Sequence, residues 1–374
     1  MKVSLRASDI VAQARERCGG PKVPLRFLPD LARLTEAIDD EAALTGEGRA
    51  RVRDSLISQL VIQIRTTRLL VARPGISPAR VPAPVFITGL HRTGTTLLQN
   101  LLAEHPAVRA PRLWELLAPA SPAATPGARA ALIGAAGRYI AEYYRAAPAF
   151  RAIHPLEALR PEECHRLIGT TFRADIYALR YNVPRYAEWL REQDMGDAYA
   201  YHRVLLSCLL ARVPGECVVL KCPFHLGHLD ALARAYPGAR VVRLHRDPAA
   251  CIASVCSLTA AVRSARARAI DPAGIGRHWL GYATQTLSAK PPRGLSVLDV
   301  RYADLLGDPI AVAARVCSFA GIPFTPAAER RMRAMLAATS NGEHAAHRYT
   351  LHDYGLDLAE IRDRFAAYNA AFDL

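Results

Sequence analysis

The sequence predicts an α/β fold: a P-loop-like parallel sheet flanked by helices, with a helical N-terminal segment and a helical insertion. Three observations carry this. From residue 85 onward, short apolar runs of strand composition alternate with amphipathic stretches of helical period. The first of these runs enters a glycine-bearing turn that opens straight into a helix. Asp-Pro pairs at Asp247-Pro248, Asp271-Pro272 and Asp308-Pro309 each offer a capping carboxylate followed by a proline suited to the first helical position.

Residues 1–75 read as helices. Between Ala50 and Val71, Val52, Leu56, Leu60, Ile64 and Leu69 recur at helical spacing with arginines between them. The proline-rich stretch 72–84 closes this segment, so residues 1–80 are expected to pack on a core domain spanning 81–374. Val85–Thr88 is the first strand, and Thr95–Glu104 is a helix stopped by His105-Pro106. Helices then dominate an insertion over about 113–212. Cys217–Leu220 is a second strand, followed by a helix over Leu226–Ala235; Arg240–His245 is a third strand and Leu295–Val300 a fourth. In such sheets ligands sit beyond the carboxyl ends of the strands, so chemistry is sought there.

Composition narrows the function classes. Of 374 residues 51% are apolar, enough for a large core, and the net charge is +14. The excess is almost all arginine, since lysine occurs only at Lys2, Lys22, Lys221 and Lys290. Guanidinium is always charged and grips phosphate or sulfate oxygens in pairs, which points to an anionic ligand. A basic run, a zinc-finger spacing and a basic tail are all missing from the sequence, which disfavours nucleic acid. The eight cysteines form no CxxC pair and sit mostly in apolar stretches, as suits a reducing cytoplasm. The first residues lack the apolar centre of a signal peptide, and no integral membrane segment is expected.

The turn itself reads Gly89-Leu-His-Arg-Thr-Gly-Thr-Thr96. Glycines let backbone amides wrap an anion, and the helix that follows adds its positive end. A nucleoside-triphosphate-binding loop would carry lysine where Thr95 stands; here the positive charge lies earlier, at Arg92. That change removes the γ-phosphate anchor and much of the magnesium chemistry, and suits an anion of lower charge. A second turn, Leu244-His-Arg-Asp-Pro248, places Arg246 at a strand end and Ser254 two helical turns further on, where the two could clamp one phosphate. His245-Arg246-Asp247 also matches a protein-kinase triplet, but the catalytic asparagine and the metal-binding Asp-Phe-Gly are missing from the sequence.

These two turns, in this order on successive βα units, resemble the two signatures by which sulfotransferases bind 3′-phosphoadenosine-5′-phosphosulfate (PAPS). The likeness is to the bacterial branch related to the tyrosylprotein type. It runs from about Val85 to the C-terminus, through Pro161-Glu-Glu-Cys-His-Arg166, Val219-Leu-Lys-Cys-Pro-Phe-His225, Asp299-Val-Arg-Tyr-Ala-Asp-Leu305 and His347-Arg-Tyr-Thr-Leu-His-Asp-Tyr-Gly-Leu-Asp357. The resemblance implies that His91, Arg92, Thr93, Gly94, Thr95 and Thr96 hold the phosphosulfate. Arg246 and Ser254 would hold the 3′-phosphate, with Tyr302 near the nucleotide. Arg348 would add a phosphate contact, unless it is a solvated loop arginine. Leu97 stands where related eukaryotic enzymes stack a tryptophan on adenine, so that contact must come from elsewhere.

Sulfuryl transfer to a hydroxyl needs a base and cations over the bridging oxygen. Arg92 and Lys221, at the same sheet edge, are the cation candidates. Glu115 is the base candidate, with His154, His165 and His225 as alternatives. His225 and His228 share a helix face, but no third ligand is evident, so no metal is expected. The acceptor, a carbohydrate or secondary metabolite, would be lined by segments 1–75 and 113–212, where Tyr139, Tyr143, Tyr144, Phe150, Tyr181, Trp189 and Tyr199 are scattered. The competing readings are a P-loop small-molecule kinase and a nucleotide-binding protein without catalysis.

Overall fold

A computed structural model describes residues 3–121, 123, 125–339 and 350–374. Its centre is one sheet of five parallel strands: β1 (Val85–Gly89), β2 (Val108–Arg109), β3 (Cys217–Lys221), β4 (Arg240–His245) and β5 (Ser296–Arg301). The spatial order is β2-β3-β1-β4-β5, with β1 in the middle. From β1 the chain goes to the edge strand β2, returns inward to β3 beside β1, then crosses over β1 to add β4 and β5. A crevice therefore opens at the carboxyl end of β1, where the loops after β1, β3 and β4 converge. Gly89 pairs in register with Leu244 and Ile87 with Lys221, which brings those strand ends together.

The four expected strands are present within a residue or so at each end. The fifth, β2, is two residues long and pairs with Cys217 and Val218; a pair that short carries no periodicity to read. The helix expected over 226–235 is in fact a 3-10 turn, Pro223–His228, followed by an α-helix, Leu229–Ala235. All three Asp-Pro pairs open helices, with Asp247, Asp271 and Asp308 accepting from the amides of Ala249, Gly274 and Ala311.

Side chains alternate across β1. Val85 and Ile87 face one apolar layer with Leu98, Leu101 and Leu102 of the helix Thr95–Ala103. Phe86 faces the other, a larger layer that runs into the N-terminal helices and the insertion. The long helix Gly46–Ala72 buries Val52, Leu56, Leu60 and Ile64, and Gln63 Nε2 donates to Thr170 O at 2.6 Å. Among the described residues the insertion folds as seven α-helices, of 4 to 21 residues, and one 3-10 turn between Leu113 and Leu210. Among the described residues no helix is long and apolar enough to cross a membrane. Replacing Asp271 or Asp308 with Ala should each cost about 1 kcal/mol by urea denaturation, since each leaves first-turn amides without their acceptor.

Candidate active site

The turn between β1 and the helix Thr95–Ala103 has the backbone an anion cradle needs. Gly94 takes φ +87°, and a Cβ there would meet Leu305 Cδ2 at 2.9 Å and Tyr302 Cδ2 at 3.0 Å. Gly89 would likewise drive a Cβ to 2.5 Å from Leu244 O. Arg92 adopts φ +72°, a left-handed conformation uncommon for a residue with a side chain. Two contacts hold it: Arg246 donates to its carbonyl at 2.7 Å, and its own guanidinium donates to Ile153 O at 2.8 Å. Thr93 Oγ1 closes the turn on Leu90 O at 2.8 Å. No side chain caps the helix that begins at Thr95, so its first amides stay available to an anion.

Arg246 lies at the mouth of this turn, its guanidinium 4.3 Å from the Tyr302 ring centroid. Tyr302, opening the helix after β5, in turn packs against Gly94. The structure thus joins Arg92, Gly94, Arg246 and Tyr302 into one rim. Ser254 is buried on the helix Pro248–Ser264 that follows Arg246. Leu97 packs against the apolar layer beneath the sheet. Arg348 lies outside the described residues.

Lys221, the last residue of β3, is a fully buried charge at this edge, 1% exposed. Its ammonium donates to Thr96 Oγ1 at 3.1 Å and to Glu163 Oε1 at 2.7 Å. The other Glu163 oxygen bonds His165 Nδ1 at 2.9 Å. Burial would raise the Glu163 carboxyl, but the Lys221 charge and the His165 bond outweigh it and hold it well below the usual carboxylate range. Burial pushes His165 down to about 4, despite Glu163, and His91 down to about 4 as well. Both imidazoles are neutral near pH 7, and each keeps an Nε2 that is buried without a partner. Beside them Glu162 faces His154 at 3.3 Å; burial alone would raise its carboxyl, yet His154 brings it down to about 2.

His91, His154, Glu162, Glu163 and His165 line the loop end of a cleft whose other walls include Tyr139, Tyr143, Phe150, Leu156, Phe224 and Leu258. Of the aromatics noted in the sequence, Tyr139, Tyr143 and Phe150 reach this cleft. Tyr144 is tied to Leu156 through its hydroxyl, and Tyr181, Trp189 and Tyr199 pack in or against the apolar core.

Glu115 is not brought to this cluster. It is 2% exposed, with one oxygen on Arg109 at 2.6 Å and the other on the Arg112 amide at 2.8 Å, so it joins β2 to the start of the insertion. His225 is also structural, with Cys164 Sγ at 3.0 Å and Tyr199 OH at 2.7 Å on its two nitrogens; His228 pairs with Asp175 at 2.7 Å. Two groups of potential metal donors do come together, Glu163–His165–Cys222 and His154–Glu162–Glu163. They escaped the sequence because their members come from separate segments. In both, an ammonium already answers the Glu163 charge, and burial holds the Cys222 thiol protonated, well above its ordinary value. The residue missed outright is Glu163; its only signal was the acidic pair standing beside His165.

A family model described as "Sulfotransferase family" matches residues 84–326. A search of curated proteins gave no match. Among solved structures, the sulfotransferase STF9 from Mycobacterium avium is 27% identical with TM-score 0.88, covering 100% of this chain and 98% of its own. The sulfotransferase STF1 from Mycobacterium tuberculosis H37Rv is 28% identical with TM-score 0.80, covering 96% and 98%.

Lys221→Met strands the Glu163 carboxylate in the interior and should destabilise the protein by about 3–5 kcal/mol at neutral pH. Because Glu163 sits below its ordinary 4.5 when folded, the pair's contribution is whole above that pH and is lost as pH falls through the folded value. Urea denaturation of wild type and variant should therefore converge in acid.

Proposed function

The chain belongs to the sulfotransferase family, and from that premise we propose that it moves a sulfuryl group from PAPS to the hydroxyl of a small acceptor, in line and without a metal. One observation carries the reading. The loop lacks the lysine of a nucleotide-triphosphate site, yet an ammonium reaches Thr96 from the neighbouring strand, as Lys221. The cation thus stands beside the loop, over the place where charge builds on a bridging oxygen, rather than wrapped around a terminal phosphate.

The residues present fit the donor. The cradle admits no Cβ at Gly94, and its uncapped amides from Thr95 onward suit the phosphosulfate. Arg246, with Ser254 behind it, suits the 3′-phosphate, and the Tyr302 ring lies beside Arg246. PAPS supplies an electrophilic sulfur and a leaving adenosine 3′,5′-bisphosphate. The chain does the rest. The acceptor oxygen, held in the cleft, forms the new O–S bond on the side opposite the bridging oxygen as the S–O bond to that oxygen breaks. Lys221 and Arg92 stabilise the charge left on the bridge. The acceptor proton passes to His165 Nε2, while Glu163 accepts from Nδ1 and so fixes the tautomer and orients the ring. With both its oxygens engaged by Arg109 and Arg112, Glu115 holds the insertion in place and leaves the base role to His165.

All eight cysteines are unpaired, which supports placing the protein in a reducing, cytoplasmic setting. The kinase and non-catalytic readings are separated from this one by ligand choice. In calorimetric titration the protein should bind adenosine 3′,5′-bisphosphate tightly in EDTA, prefer it to ATP with magnesium, and lose affinity in Arg246→Ala. Preference for magnesium-ATP, or binding of neither, would sink the proposal. His165→Ala should lower kcat by about 10²–10⁴-fold while leaving bisphosphate affinity in place, as loss of a general base requires.

A further inference from the structure

The cleft beside the loop is not electrically balanced. Of its two carboxylates, Glu163 pairs with Lys221, while Glu162 hydrogen-bonds the His154 ring and also feels the Arg166 charge. Two more cations line it from the insertion, Arg166 and Arg180, and among the described residues neither makes an ion pair. Arg166 lies 5.5 Å over the Tyr139 ring and donates to its hydroxyl at 3.2 Å, with its Nε buried and unpartnered. Arg266 lies 5.4 Å over the neighbouring Tyr143. The excess is felt by the wall itself: burial should raise the Tyr139 phenol, yet Arg166, Arg180 and Arg266 together pull it below its ordinary value.

A desolvated guanidinium with no carboxylate in contact is stabilised further when an anion arrives, and its planar fork suits a carboxylate, sulfate or phosphate. The remaining walls are aromatic and aliphatic, with few groups to answer the many hydroxyls of a bare sugar. We infer that the acceptor is a hydroxy acid with an apolar body: its hydroxyl meets His165 at the loop end, and its anionic group is taken by Arg166 and Arg180. This rests on the sulfuryl-transfer reading and sharpens it to a substrate class.

The test uses para-hydroxyphenylacetate and its methyl ester, titrated calorimetrically into the full chain saturated with adenosine 3′,5′-bisphosphate. The acid should bind about tenfold or more tightly than the ester, as a charge-assisted pair would give. Arg166→Gln and Arg180→Gln should each narrow that ratio toward one. A purely structural arginine would instead weaken both ligands alike. Equal or tighter binding of the ester, binding of neither, or a ratio unchanged in both variants would overturn the inference. If the bisphosphate itself fails to bind, the donor reading falls on its own, and the same comparison on the free protein still decides the charge preference.

Discussion

An ammonium buried at the end of a central strand must find acceptors or the strand cannot end there. Lys221 finds two, Thr96 Oγ1 on the loop helix and Glu163 on the insertion, and this single bridge ties together the three parts that make the site. It sets the distance between the anion cradle and the cleft, and it fixes Glu163 so that its second oxygen can hold His165. Remove the charge, and the loop, the insertion and the sheet edge lose their common post.

The rest of the rim follows the same logic of buried polar groups finding partners across segments. The strained Arg92 backbone is held because Arg246 takes its carbonyl and Ile153 takes its side chain. Glycine is favoured at position 94 because its φ of +87° strains other residues and because Tyr302 and Leu305 crowd the place of a Cβ. At the opposite end of the insertion, Glu115 and Arg109 form a buried pair that anchors the first insertion helix to the edge strand. The crossover that puts β1 between β3 and β4 makes these contacts reachable, since residues far apart in sequence end at one edge.

Much of this was legible in the sequence, for physical reasons that can be named. The strands over 85–89 and 217–221 are buried on both faces and so read as near-continuous apolar runs. The Asp-Pro caps act locally, within three residues, and each was found where expected. The loop was recognisable because its glycines and threonines act through their own backbone. Glu163 was not, because a carboxylate's role depends on what lies across from it. Glu115 stands among apolar neighbours in the sequence and Glu163 in the charged run from Arg160 to Arg166; only the fold shows that one meets Arg109 and the other meets Lys221 and His165. The two-residue β2 and the metal-like groupings were hidden likewise, as products of contacts between distant segments.

The central claim is that Lys221 stabilises the charge left on the oxygen that bridges phosphate and sulfur in the donor. The most direct measurement compares calorimetric affinities for PAPS and for adenosine 3′,5′-bisphosphate in wild type and in a Lys221→Met/Glu163→Gln double variant, which removes both charges and spares the fold an unpaired carboxylate. The account predicts that the double variant weakens the bisphosphate about tenfold more than PAPS, since the charge left on the bridging oxygen, which the ammonium faces, is present only in the bisphosphate. Equal weakening of the two, or none, would contradict it.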